Sequence, residues 1–235
     1  SMKYNIPAGS SYTRTEMIKK ILSFQLPDDG FNLRFAQGST ADPDITAMAI
    51  QALAPYYRNA TFNVKDPVDK ALDCLSKLQL DTGDFRSWGT RNSESVSQII
   101  VSLCSIGVDP QNDSRFIKNG INLLDALFYY QQEDGGFAHS YESDPGNPSA
   151  TPGESNSIPT DQALLALVAV WQQAQGMRIL YDFRPGSVSA KILTPEESEV
   201  SFAGSYEFTE ADRQQADALP KKLSTENDEE VTALL

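Results

Sequence analysis

The chain has few of the residue types that build metal sites, and it has no long apolar run. Two cysteines and one histidine among 235 residues are too few for the common cysteine- and histidine-rich metal clusters. No segment approaches the roughly 20 apolar residues that a membrane-spanning helix needs. Acidic residues outnumber basic ones, 32 to 19, and the net charge of −13 disfavours binding to a nucleic-acid backbone.

Apolar residues are abundant enough for a folded core, and the negative charge is unevenly distributed. Hydrophobic residues make up 40% of the chain, which excludes wholesale disorder. From Ile192 onward there are 11 acidic and 3 basic residues, so this tail carries −8 of the total charge. We therefore predict a folded domain over residues 1–191. Residues 192–235 are predicted to form an irregular acidic tail, either a linker or a truncated helical module.

A repeated pattern dominates the folded part. In each copy an amphipathic run ends in Gln, and a Gly/Asp pair and a Phe follow four to six residues later. The three Gln/Phe pairs are Gln25 and Phe31, Gln79 and Phe85, and Gln131 and Phe137. A second, more apolar run follows each pair, and both kinds of run have helical periodicity. The sequence predicts an all-α fold of three αα-hairpins, near residues 12–57, 66–107 and 114–176.

This unit, with a Thr-Ala-x-Ala-hydrophobic helix after its turn, resembles the repeat of prenyltransferases and squalene cyclases. The resemblance implies an α/α toroid, in which inner helices face a cavity and outer helices form the rim. A complete toroid has about six hairpins. Three hairpins therefore imply half a toroid, with the rest elsewhere in the natural protein. In that family the Gln side chain ties neighbouring outer helices together and the Phe packs beneath, so these residues are interpreted as scaffold.

Several segments, including residues 41–57 and 91–103, further resemble surface proteins of Gram-positive bacteria. In those proteins the toroid is one module of a secreted, multidomain chain. The resemblance implies an extracellular or cell-surface location. Open hairpin edges of a half-toroid would expose apolar helix faces. We therefore expect self-association, or a covering role for residues 3–12 or for the tail.

The best candidate for acid chemistry is Asp42-Pro43-Asp44-Ile45-Thr46-Ala47. It resembles the Asp-x-Asp-Asp-Thr-Ala motif of squalene-type cyclases, in which the middle Asp protonates the isoprenoid. Asp42 and Asp44 match two of the three acids, and Ile45 replaces the third. The competing interpretation, which we favour, is that Asp44 is the N-cap of an apolar helix and binds the N–H group of Thr46 or Ala47.

Zinc and cofactor binding receive little support. Asp73, Cys74, Cys104 and His139 do not fall at the ligand positions of zinc-dependent prenyltransferases. We interpret the cysteines as core filling and His139 as an ordinary surface residue. The predicted inner helices also lack the Arg and Lys cluster that a diphosphate would require. No metal and no cofactor is predicted.

Aromatic residues near predicted helix ends are the remaining candidates for ligand contact. An aromatic-lined concavity could hold a flat or hydrophobic ligand, although packing in the core and rim explains the same residues. The long connection between residues 138 and 159 is interpreted as a surface insertion, with a lid or binding loop as the alternative. The predicted ligand-contact residues are Tyr56, Tyr57, Trp88, Tyr129, Tyr130 and Trp171.

Together these patterns favour a non-catalytic binding or scaffolding module over an enzyme. The partner is a small ligand or a protein. Vitamin B12 carriers use the same toroid as one wall of their ligand site, so a small hydrophobic or cobalamin-like ligand is the specific version of this hypothesis. The alternative is a terpene cyclase or prenyltransferase-type enzyme that uses Asp44 as its acid.

Overall fold

The computed structural model describes residues 9–10, 12–34 and 38–181. They all lie within the first of two compact units, Ser1–Ala190. The predicted acidic tail, residues 192–235, lies outside the described residues, as does the N-terminal segment 3–8. In the described part, the chain is mostly helical, as the repeat pattern predicted. The helices are α1 (Arg14–Leu22), α2 (Pro43–Leu53), α3 (Lys65–Leu78), α4 (Ser93–Ile106), α5 (Leu123–Phe128) and α6 (Ser157–Ala174).

Side chains at the helix starts explain where most of these helices begin. Asp42, Asn92 and Asn156 accept hydrogen bonds from the first-turn N–H groups of α2, α4 and α6. Thr13 and Asn122 form capping boxes at the starts of α1 and α5. The three apolar helices therefore each start at a short polar residue, which the sequence places just after a loop.

Helix α4 lies at the centre of the packing, between α2 and α6, and 11 of its residues are buried. The three helices run in the same direction. Asp42 at the start of α2 binds Ser87 ahead of α4, and Gln173 near the end of α6 binds the carbonyl of Val108 just after α4. These are the inner helices of the predicted repeats. Their facing side chains form a continuous apolar core.

The outer helices pack differently from the predicted hairpins. The prediction joins each outer helix to the inner helix that follows it in the chain. In the structure α3 packs mainly against α2, and α5 mainly against α4, so each of these outer helices covers the preceding inner helix. Three hairpins with the predicted pairing therefore remain unconfirmed.

Two small antiparallel ribbons precede α4 and α6, and the all-α prediction did not include them. Strands β1 (Arg86–Ser87) and β2 (Thr90–Arg91) pair directly before α4. Strands β3 (Phe137–Ala138) and β4 (Ser155–Asn156) pair directly before α6. Each strand has only two residues, too short for the alternating pattern that identifies a strand in sequence. The ribbons hold the chain in position as it enters an inner helix.

The repeated Gln and Phe residues are structural in the first two copies. Gln25 Nε2 donates to the carbonyls of Asp29 (2.7 Å) and Pro67 (2.8 Å), which joins the first turn to the start of α3. Gln79 Nε2 makes the corresponding bonds to Gly83 (2.8 Å) and Phe116 (3.1 Å). All three phenylalanines of the pattern are buried: Phe31, Phe85 and Phe137. For the first two copies the scaffold interpretation is confirmed.

Candidate functional site

The first candidate acid, Asp42, is the N-cap of α2. Its Oδ1 accepts the N–H of Ile45 at 3.0 Å, and its Oδ2 accepts the hydroxyl of Ser87 at 2.7 Å. Pro43 fills the first helical position, where a missing N–H costs nothing. Asp42 therefore has a complete set of partners and a structural role.

The prediction that Asp44 is the N-cap is wrong, because the cap lies two residues earlier. Asp44 is in the first turn of α2, and its Oδ1 is buried with no hydrogen-bond partner among the described residues. Pro43 explains the shift: its fixed φ suits the first helical position, so the residue before it becomes the cap. Asp44 is left with a carboxylate whose inner oxygen is unsatisfied.

Burial raises the pKa of Asp44 to about 6, and the negative charges of Asp42 and Glu94 add to the shift. The hydroxyls of Ser95 and Ser87 partly offset it. Ser95 lies in the first turn of α4 and is fully buried, yet its Oγ makes no hydrogen bond of normal geometry. Asp44 Oδ1 and Ser95 Oγ, on adjacent helices, each lack a hydrogen bond of normal geometry, although the Ser95 hydroxyl is near enough to lower the pKa of Asp44.

His139 is a buried member of an acidic cluster, so its interpretation as an ordinary surface residue is also wrong. Its Nδ1 lies 2.8 Å from Glu94 Oε1 and its Nε2 lies 3.0 Å from Asp144 Oδ2. These carboxylates, Glu94 before Asp144, raise the pKa of His139 despite its burial. An imidazolium can donate to both acids at once, and the contact ties the long connection 138–159 to α4.

The repeat itself relates these two polar clusters. Glu94 lies two residues after the N-cap of α4, as Asp44 does in α2. His139 lies two residues after Phe137, as Ser87 does after Phe85. The starts of α2 and α4 therefore each contact the side chain that lies two residues after the Phe of the next copy. Ser87 and His139 occupy equivalent positions in the repeat but differ in residue type, so no repeated motif marks them in the sequence.

The six aromatic candidates do not form one site. Tyr56 is buried against Phe62, and Tyr57 donates to Asp69 at 2.6 Å. Trp171 is half-buried near the end of α6, remote along that helix from its N-terminus. Trp88 is exposed on the turn between β1 and β2.

Tyr129 and Tyr130 are in ring contact, and they belong to a different group. Both rings also contact Tyr141, a residue that the sequence did not single out. Tyr130 is buried and donates to Asp84 at 2.6 Å, whereas Tyr129 is exposed. Within the described part of the chain, no ring contact joins this group to the other four candidates.

The predicted cysteine roles agree with the structure. Both thiols are buried and free, and burial raises the pKa of Cys74 to about 11 and that of Cys104 to about 12. Such thiols are unreactive core residues. Residues 9–10, 12–34 and 38–181 contain no group of three or more His, Cys, Asp or Glu side chains placed to hold a metal ion.

The comparison with known families agrees with this arrangement. Residues 25–179 match the model of the squalene-hopene cyclase C-terminal domain. The chain belongs to this family. The match covers more than half of the chain and includes every inner helix, both glutamine ties and the Asp42–Ala47 motif. No curated protein matches the chain. Of the helices described, none is both long and apolar enough to span a bilayer.

Proposed function

We propose that this squalene-hopene cyclase-like chain is a non-catalytic binding module, with its ligand site at the N-terminal ends of α2 and α4. The observation that carries the proposal is that two buried atoms, Asp44 Oδ1 and Ser95 Oγ, lack a hydrogen bond of normal geometry. A buried polar atom without a partner costs about 1–3 kcal/mol, and more when it is charged. A ligand that donates hydrogen bonds to this pair would recover that free energy.

The chemistry of the site favours a ligand with hydrogen-bond donors on a larger, partly apolar body. Asp42, Asp44 and Glu94 are all acidic, so an anionic ligand such as a diphosphate is disfavoured. Exposed Met48 lies one turn after Asp44 on α2 and offers an apolar contact. A cobalamin-like ligand has this character, because its peripheral amides donate hydrogen bonds around a flat ring.

Three observations weigh against catalysis by acid. The third acid of the cyclase motif is Ile45, and Asp42 is fully engaged as a helix cap with Ser87. Two of the aromatic candidates, Tyr56 and Tyr57, also follow the far end of α2 and so lie away from Asp44.

One observation favours the alternative, a terpene cyclase or prenyltransferase-type enzyme. The pKa of Asp44, raised to about 6, leaves a share of its carboxyl group protonated near neutral pH. An acid of this kind, with its inner oxygen unpaired, has a proton available for transfer. The alternative therefore depends on the same residue as the binding proposal, and activity assays separate the two.

The test compares wild type with Asp44→Ala and with Asp66→Ala, an exposed carboxylate on α3. Titration calorimetry with cyanocobalamin should show binding that Asp44→Ala weakens and Asp66→Ala leaves unchanged. Incubation with squalene and farnesyl diphosphate, followed by mass spectrometry, should show no product. Product formation that Asp44→Asn abolishes would establish the enzyme instead. Absence of both binding and turnover would leave a purely scaffolding role.

The proposal extends to location and assembly. The resemblance to Gram-positive surface proteins supports a secreted or cell-surface bacterial module. Ile158 and Leu164 on α6 are 61% and 58% exposed, which supports self-association or cover by another part of the natural protein. Sedimentation equilibrium of the protein over a range of concentrations tests the first of these.

A further inference from the structure

Trp88 has a backbone conformation that its side chain does not favour. It and Gly89 are the two central residues of the turn between β1 and β2, and Ser87 pairs with Thr90 across it. Their φ values are +49° and +96°, so both are left-handed. Two-residue hairpin turns of this kind favour Asn, Asp or Gly, and a bulky residue at positive φ is strained.

Packing does not explain why a tryptophan occupies this position. Its side chain is 60% exposed, and among the described residues its ring contacts the guanidinium of Arg34, 5.4 Å from the ring centroid. An exposed cation–π pair stabilises a protein only slightly. Strain that persists with no compensating contact among residues 9–10, 12–34 and 38–181 suggests a contact with a ligand.

Two further exposed aromatic residues lie on the other side of one ion pair. Arg86 Nη1 contacts the carbonyl of Gly89, beside Trp88, and it lies 2.8 Å from Glu142 Oε2. Glu142 follows Tyr141, whose ring centroid is 5.0 Å from that of Tyr129. Tyr129 is 58% exposed and Tyr141 is 46% exposed. The Arg86–Glu142 pair therefore joins the turn that carries Trp88 to the loop that carries Tyr141.

The polar groups between these rings are held in fixed positions. Arg86 and Glu142 form a bidentate ion pair, with Nη1–Oε2 and Nη2–Oε1 distances of 2.8 Å and 3.0 Å. Their side chains remain 42% and 40% exposed. Gln132 Nε2 donates to the hydroxyl of Tyr141 at 2.9 Å. The charges of the paired guanidinium and carboxylate cancel, and their free edges can still form hydrogen bonds with a ligand.

From this arrangement we propose that Trp88, Tyr129 and Tyr141, with the Arg86–Glu142 pair between them, form a binding surface for neutral carbohydrate. The apolar C–H face of a pyranose ring stacks on an aromatic side chain, and its hydroxyls require nearby donors and acceptors. The local pair is neutral and the chain carries a net charge of −13, which disfavours anionic lipid or nucleic acid as the occupant. This surface shares no residue with the Asp44 and Ser95 site, so the two proposals can fail separately.

The decisive variant is Trp88→Asn. Asparagine suits the left-handed turn position, so the substitution removes the ring while relieving the backbone strain. We expect the melting temperature to stay the same or rise by about 2–4 °C. We expect carbohydrate affinity to fall about tenfold or more. Tyr129→Ala should weaken binding as well, whereas Tyr12→Ala, which removes a 71% exposed tyrosine outside this surface, should not.

The probes are cellohexaose, xylohexaose, mannohexaose and chitohexaose, titrated to millimolar concentration by calorimetry with the whole protein. The chain has two tryptophans, Trp88 and Trp171. A fluorescence change on binding that persists in the Trp171→Phe variant therefore comes from Trp88. Binding of at least one probe, lost in Trp88→Asn, would support the proposal. Four results would each overturn it: no binding of any probe, equal binding by Trp88→Asn, a clear fall in its melting temperature, or binding to phosphatidylcholine vesicles in place of sugars.

Discussion

Gln79 joins its own turn to the next outer segment, because its side-chain nitrogen lies 3.1 Å from the carbonyl oxygen of Phe116. Gln25 makes the same connection to Pro67 one repeat earlier. Each glutamine therefore satisfies two carbonyls at once, one in its own turn and one in its neighbour. Gln79 is buried, so water cannot replace it there. The repeats are held in register by these side chains as well as by the apolar core.

Gln79→Ala should therefore lower the free energy of unfolding by about 2–3 kcal/mol, since two buried carbonyls lose their donor. Urea denaturation measures the change. Gln131→Ala is the matched control. Gln131 holds the equivalent position in the third copy, but its side chain makes no hydrogen bond within the described residues. Equal losses of unfolding free energy in the two variants would show that the Gln79 hydrogen bonds do not stabilise the fold.

Asp42→Ala should destabilise the protein by about 1–2 kcal/mol, because α2 loses its N-cap and Ser87 loses its acceptor. Asp42→Asn keeps an acceptor for the N–H of Ile45 and should cost less than half as much. Thermal unfolding of both variants distinguishes capping from a pure charge effect. If the two substitutions were equally costly, the negative charge and not the cap would be what α2 requires.

The sequence pattern predicted the helical repeat well, for a physical reason. Amphipathic runs such as α3 and apolar runs such as α4 carry their period in the sequence, and the recurring Gln and Phe mark each turn. The position two residues before each Phe is left-handed in all three copies, at Asp29, Gly83 and Gly135. A left-handed backbone position can be recognised in the sequence because it is usually occupied by glycine and occasionally by Asp.

The polar site was harder to predict, because its members come from different repeats and from non-repeating loops. Asp44 was identified from its motif, but its cap assignment depended on whether Pro43 occupies the first helical turn. The contact of His139 with Glu94 joins residues 45 positions apart, and no local pattern encodes it. Tyr141 lies in the long loop between β3 and β4, and its ring contact with Tyr129 is a tertiary contact that no local pattern marks.

Asp44→Asn should stabilise the protein at neutral pH. The pKa of Asp44 is about 6 in the folded protein, against 3.8 as its ordinary value, so the folded state binds this proton more tightly than the unfolded state does. Wild-type stability from this group is therefore present at low pH and is lost as pH rises from about 4 to about 6. At about pH 7.5 the asparagine variant should be more stable by about 2 kcal/mol.

Urea denaturation at about pH 4 and about pH 7.5 tests this difference, which should nearly vanish at the lower pH. Asp66→Asn, which changes an exposed carboxylate of α3, should shift stability little at either pH. A destabilising Asp44→Asn at the higher pH would mean that the carboxylate has a partner in the folded protein. In that case the unpaired oxygen could not carry the ligand proposal.

The His139 contact gives a pH dependence of the same direction as Asp44, at higher pH. Its pKa is raised in the folded protein, mainly by Glu94 and also by Asp144, so its stabilisation is complete below the ordinary histidine value of about 6.5. That stabilisation is lost as pH rises through the higher folded pKa. His139 is the sole histidine of the chain, so its imidazole carbon protons give one assignable NMR titration curve. Glu94→Gln should lower the midpoint more than Asp144→Asn does, since Glu94 contacts Nδ1 with both carboxylate oxygens, at 2.8 Å and 2.9 Å. A wild-type midpoint at or below the ordinary value would show that burial outweighs the two carboxylates, and that the loop is held by neutral hydrogen bonds alone.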